Sequence, residues 1–204
     1  TLLVINELNV EQPIINLRLF RDPTFATGTV VMFFLFFNLF GSIVLLPIYV
    51  QSLMGYSAYD AGLVLGPGGL ATLCVMPIVG KLVQRVNPKK ILGVGIVICA
   101  ITTWLMSQFN LQADFWTFGL PRITLGLGMG LSFIPLTTLT LSHIPREKMG
   151  QATSMYNLLR NMGGSVGIAF VTTLLARRSQ FHQARLVDHL SVFDPAFVMA
   201  KGKA

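Results

Sequence analysis

Apolar residues in this chain come in long runs, not in the alternation of a half-buried strand or the narrow stripe of a soluble amphipathic helix. Five runs, roughly 24–52, 58–83, 90–109, 115–141 and 150–176, each hold about 20 or more residues, the length a helix needs to cross the hydrocarbon of a bilayer. The joints between them are built from proline, glycine and charge: Asp22-Pro23, Gly55-Tyr56-Ser57, Asn87-Pro88, Gln112-Ala113-Asp114 and Pro145-Arg146-Glu147-Lys148. Joints this short leave consecutive helices as antiparallel neighbours. The pattern predicts an all-α polytopic membrane protein of about five transmembrane helices.

Lys and Arg concentrate at alternate joints. Arg18 and Arg21 precede the first helix, Lys81, Arg85, Lys89 and Lys90 join the second to the third, and Arg146 and Lys148 join the fourth to the fifth. The remaining joints carry no Lys or Arg, only Asp60 and Asp114 near their ends. Positive charge stays inside, so the start of helix 1 and both basic joints are expected in the cytoplasm. Arg177, Arg178 and Arg185 follow the fifth helix on the outer side and run against this assignment. The rule weighs early helices and short loops most, so the orientation stands.

Composition agrees with lipid as the solvent. The chain is 53% hydrophobic and 11% charged, against roughly 25% charged in a soluble domain. A net charge of +7 raises the question of nucleic acid. Its cations sit between apolar runs and form no basic face interleaved with aromatics, so no nucleic-acid partner is expected. Cys74 and Cys99 both fall inside apolar runs, away from metal spacing, and no disulfide, metal or cofactor is expected. The lipid bilayer itself is the expected surrounding.

Residues 1–23 read as the tail of a preceding segment and a cytoplasmic linker, 24–176 as a five-helix transmembrane bundle, and 177–204 as an outer-side loop, truncated. Within that loop, 181–193 has the polarity of a short amphipathic helix. Both ends read as cut, and the expectation is a piece of a larger membrane protein.

Several polar residues stand where lipid would not tolerate them idly. Arg122 lies about seven residues, roughly 10 Å, in from the outer end of helix 4. A guanidinium at that depth marks a functional site facing the interior or snorkels to the headgroups; the sequence leaves both open. In helix 5, Tyr156, Asn157, Arg160 and Asn161 share one helical face, with Arg160 near mid-membrane. Such a face lines a substrate path or forms an interhelical hydrogen-bond network, and again both stand. Helix 1 carries Asn38 at mid-depth and Tyr49 and Gln51 towards its outer end, the remaining candidates for that path. Asp60 either attracts cations at the outer mouth or serves its helix N-terminus.

Small residues suggest how the helices meet. Gly66 and Pro67 in helix 2 are candidate hinge positions, and Gly126, Gly130, Gly163 and Gly167 are spaced for close helix packing. Gly163-Gly164-Ser165-Val166-Gly167 also spells a hydrolase-like G-x-S-x-G. That chemistry needs a strand-to-helix elbow and a histidine base, whereas His143, His182 and His189 all lie outside the apolar runs. No catalytic residue is expected.

The joint Gly80-Lys81-Leu82-Val83-Gln84-Arg85-Val86-Asn87-Pro88-Lys89-Lys90 resembles the signature loop of the major facilitator superfamily. Gly80, Gln84, Arg85, Lys89 and Lys90 would then form a cytoplasmic gate loop; Gln84 departs from the family's usual Asp, which puts a gate ion pair in doubt. Arg122-Ile123-Thr124-Leu125-Gly126-Leu127-Gly128-Met129-Gly130 is similar to the family's pattern of an arginine followed by spaced glycines. Pro13-Ile14-Ile15-Asn16-Leu17-Arg18-Leu19-Phe20 and Ile134-Pro135-Leu136-Thr137-Thr138-Leu139-Thr140-Leu141-Ser142 look like the fourteen-helix drug:proton antiporters of the EmrB/QacA type. The likeness covers about 11–195.

This resemblance implies five helices of one six-helix half, with the last helix missing. It implies export of amphipathic drug-like substrates against inward-moving protons by alternating access, with Arg122 in proton coupling. It also implies further partners: the missing N-terminal half of the same transporter, a periplasmic adaptor and an outer-membrane channel, with the protein multi-pass in the bacterial inner membrane. The alternatives are a carrier for one metabolite, a non-transporting scaffold, or a membrane-embedded hydrolase using Ser165.

Overall fold

The computed structural model describes residues 17–109 and 115–188. A 3-10 turn over Leu17–Arg21 leads into α1 (Pro23–Ser52), followed by α2 (Ala58–Leu82), α3 (Pro88–Met106) and α4 (Phe115–Leu141). A second such turn, Arg146–Lys148, leads into α5 (Met149–Asp188). All five helices are long and apolar enough to cross a membrane.

The joints start the helices by side-chain capping. Asp22 Oδ1 accepts from the Thr24 and Phe25 amides at 2.7 and 3.3 Å, and Pro23, with no N–H to satisfy, follows it. Ser57 and Asp60 form a reciprocal box: Ser57 Oγ accepts from the Asp60 amide at 3.2 Å while Asp60 Oδ2 accepts from the Ser57 amide at 3.3 Å. Asp60 is thus engaged in starting α2. Asn87 accepts from the Lys89 amide at 3.0 Å ahead of α3.

Helix α5 outlasts its apolar run. The expected end near Ala176 is where hydrophobicity stops, but the helix continues to Asp188. Arg, Gln, Ala and Leu in this tail are good helix formers, so backbone propensity carries on after membrane-forming character has ended. At 40 residues the helix is about 60 Å long, twice the roughly 30 Å of hydrocarbon. The linker motif before Leu17, the Gln112-Ala113-Asp114 joint and residues 189–204 lie outside the described residues.

Helix α4 is the hub, packing on α2 and α3, while α1 packs on α5 and joins the two groups through α4. Met32, Leu35, Leu125, Met129, Leu136 and Tyr156 make the central apolar cluster. Outward-facing Phe34, Leu70, Trp104 and Trp116 are 62–64% exposed, as a lipid-facing surface requires.

Several helix pairs approach so closely that glycine is needed at the contact, α2–α4 and α1–α5 among them. A Cβ on Gly126 of α4 would collide with the Gly68 carbonyl oxygen of α2, and Cβ atoms on Gly163 and Gly167 of α5 would collide with the Phe33 and Phe37 carbonyl oxygens of α1. Without a hydrophobic drive between helices in lipid, this backbone proximity supplies the dispersion contact that holds them together. Buried hydroxyls are satisfied locally: Thr29, Ser132 and Thr140 donate to carbonyls four residues back at 2.7–2.8 Å.

Candidate functional site

Arg122 sits where three helices converge. Only 4% of it is exposed, and its Nη1 donates to Ser42 Oγ of α1 at 2.9 Å. On the α2 side, Gly68 is placed so that a Cβ there would lie 2.7 Å from the Arg122 carbonyl oxygen and 3.1 Å from its Cγ. The side chain therefore needs the missing Cβ of Gly68 to pass. Burial and the Ser42 bond aim the guanidinium across the bundle to α1. Below it opens a cavity of about 540 Å³ walled by α1, α2 and α4, with Phe36, Leu39, Met76, Met129 and Phe133 among its apolar lining and Arg122 as its charged group. The volume is that of a small-molecule site.

A second cation flanks the same wall. Arg160 of α5 places its Cζ 5.2 Å from the centroid of Phe36, inside cation–π range. Its Nε is buried with no hydrogen-bond partner among the described residues. One turn earlier, buried Tyr156 shares a 3.1 Å hydrogen bond with Thr137 Oγ1 of α4. Phe36 in turn lies 6.2 Å from Phe133. Arg160, Phe36, Phe133, Thr137 and Tyr156 thus tie α5 to the cavity wall. Of the remaining residues on that α5 face, Asn157 is half-buried and Asn161 exposed.

Asn38 and Tyr49 stand elsewhere. They line a groove of about 490 Å³ that reaches Thr103 and Met106 of α3 and Val171 of α5. Asn38 Nδ2 donates to Thr103 Oγ1 at 3.0 Å, and the Tyr49 ring is 5.9 Å from that of Phe118. Ser42 lines this groove as well, so the Arg122–Ser42 bond spans from cavity to groove. Gln51 is exposed at the end of α1.

At the basic end, Gln84, Arg85, Lys89 and Lys90 are exposed and Gly80 is half-buried. No described atom comes within 4 Å of a Cβ built on Gly80. Gly66 is equally open, Pro67 sits within the unbroken run of α2, and a Cβ added at Gly130 would lie 3.2 Å from Val75 Cγ1. Ser165 is exposed within α5, with no strand-to-helix turn to present it as a nucleophile.

Ser42 and Phe36 stand unmarked in the sequence, and Thr137 appears there only within the family-like segment 134–142. A lone serine or phenylalanine in an apolar helix carries no signal of its partner. Gly68 had one, since it belongs to the Gly66-Pro67-Gly68-Gly69 run, but its facing helix was not readable.

A family model described as Major Facilitator Superfamily matches residues 6–168. The chain is 33% identical over 194 residues to the multidrug export protein EmrB of Haemophilus influenzae, covering 95% of this chain and 38% of that protein. Identity to EmrB of Escherichia coli K12 is 31%, with the same two coverages. The fatty acid resistance protein FarB of Neisseria gonorrhoeae is 30% identical over 190 residues, 93% of this chain and 38% of its own length. The chain therefore spans about 38% of the length of these relatives.

Proposed function

Because the chain belongs to the Major Facilitator Superfamily, a family of transporters and not of enzymes, we propose that it forms the second half of a proton-coupled multidrug exporter working by alternating access. It is a multi-pass protein of the bacterial inner membrane. The observation that carries the proposal is Arg122, buried at the wall of an apolar cavity of about 540 Å³. An apolar chamber with a fixed cation combines what amphipathic cargo and proton coupling each require. Relatives named for multidrug export, and one for fatty acid resistance, support a wide amphipathic range.

In this reading the other half of the transporter closes the cavity, and the two halves rock about it. A carboxylate brought near Arg122 favours its ionised form, so its proton leaves; moved away, it takes one up. Arg85, Lys89 and Lys90 hold the cytoplasmic gate by bonding carbonyls and carboxylates that approach on closure. A periplasmic adaptor and an outer-membrane channel complete the path.

The test is ethidium efflux from energised cells carrying the complete transporter, with and without an uncoupler. Efflux that stops with the uncoupler supports the reading. A protein that inserts normally and moves only one polar solute would replace it with a narrow carrier.

A further inference from the structure

The geometry points to Gly68 and Thr72 of α2 as positioning residues for proton coupling at Arg122; the inference rests on the export reading above. Gly68 is set apart by what it faces. Close contacts at Gly163 and Gly167 meet Phe33 and Phe37, and those at Gly95 and Gly128 meet Ser132 and Cys99. Among the described glycines, Gly68 alone has a charged residue as its nearest neighbour. A Cβ there would lie 2.7 Å from the Arg122 carbonyl oxygen and 3.1 Å from Arg122 Cγ, so both the backbone and the stem of the arginine run against it.

Four residues interlock over one turn of each helix. Gly68 and Thr72 stand four apart on α2, as Arg122 and Gly126 do on α4, and each pair spans about 6 Å. Gly68 backs onto Arg122, and its own carbonyl oxygen faces Gly126 closely enough to exclude a Cβ there. Thr72 Oγ1 lies 2.9 Å from the carbonyl oxygens of both Gly68 and Gly126 and shares its proton between them. The turn of α4 that begins with Arg122 is thus pinned to α2 at both ends. From it the guanidinium crosses to α1 and ends on Ser42 at 2.9 Å. A hydrogen bond weakens steeply as its geometry degrades, and a working site holds its groups to within about 0.5 Å. Moving this turn breaks the Ser42 bond and carries the charge to another place in the cavity wall. Charge acts on a neighbouring carboxylate through distance, so coupling needs the turn in place as well as the arginine.

The complete transporter in liposomes separates positioning from packing. Two quantities are read: equilibrium exchange of radiolabelled ethidium, which moves no net proton, and the protons moved per ethidium when ethidium is added to one side. Gly68→Ala is expected to keep exchange and to lower the proton-to-ethidium ratio about tenfold or more, as misplacement of a functional group does. Gly69 also lines the cavity but meets nothing beyond its own helix within 4 Å. Gly69→Ala therefore changes the KM for ethidium at most and keeps the ratio. Thr72→Val lowers the ratio, and Thr72→Ser, which retains the hydroxyl, restores it. Exchange and proton movement that fall together in Gly68→Ala, a ratio that stays at the wild-type value, or an equal loss in Gly69→Ala overturns the inference. Where Gly68→Ala fails to insert, the Thr72 pair decides, and equal ratios in Thr72→Val and Thr72→Ser overturn it. A wild type that moves ethidium without protons, or moves no ethidium, fails the export reading itself, an outcome distinct from any result with the variants.

Discussion

Arg122 of α4 and Ser42 of α1 meet through a 2.9 Å hydrogen bond that ties the α2–α3–α4 group to the α1–α5 pair. A hydrogen bond to a charged donor is worth about 1.5–3 kcal/mol. Ser42→Ala is therefore expected to lower the melting temperature in detergent and to cut efflux about tenfold or more, with Ser42→Thr close to wild type. Fluorescence-detected melting beside an efflux assay checks both.

Gly126 and Gly66 provide a matched contrast. Adding a methyl at Gly126 drives it into the Gly68 carbonyl oxygen, whereas one added at Gly66 meets nothing beyond its own helix within 4 Å. Overpacking of this kind costs about 1–3 kcal/mol. Gly126→Ala should melt several degrees lower, and Gly66→Ala should match wild type or exceed it through better helix propensity. Equal melting of the two variants would contradict the α2–α4 approach described here.

Asn38 and Thr103 join α1 to α3 by a hydrogen bond of 3.0 Å. Interhelical polar pairs in membranes average about 0.6 kcal/mol by double-mutant cycles. A cycle of Asn38→Ala and Thr103→Val, read by unfolding in detergent, should give a coupling of that order. Strict additivity would place the two side chains apart.

Much of this architecture was legible because lipid removes ambiguity: with backbone groups forced into helices, five apolar runs could become little else. The capping residues Asp22, Ser57 and Asn87 were readable as boundaries for the same reason that they work, their short acceptors competing for free amides. The far end of α5 was not, because the sequence marks where hydrophobicity stops and not where a helix does. Site pairings were equally hidden. Arg122 and Arg160 stood out as costly charges, but Ser42 and Phe36 are defined as partners only by how α1 turns against α4 and α5.

Sidedness rests on charge and is open to direct labelling. In the proposed orientation Gln180, exposed on the α5 tail, faces the periplasm, and Arg85 faces the cytoplasm. On a background with Cys74 and Cys99 replaced by serine, Gln180→Cys should react with a membrane-impermeant maleimide in intact spheroplasts. Arg85→Cys should react only after permeabilisation. The reverse pattern would invert the topology.

Proton coupling through Arg122 is the central claim, and proton movement is its most direct readout. The complete transporter is reconstituted into liposomes holding a pH-sensitive dye, and a transported substrate is added without any imposed gradient. The account predicts substrate-driven proton movement in the wild type and its loss in Arg122→Gln, with both proteins inserted to the same level. Substrate transport with no proton movement, or an Arg122→Gln variant that couples as well as wild type, would contradict it.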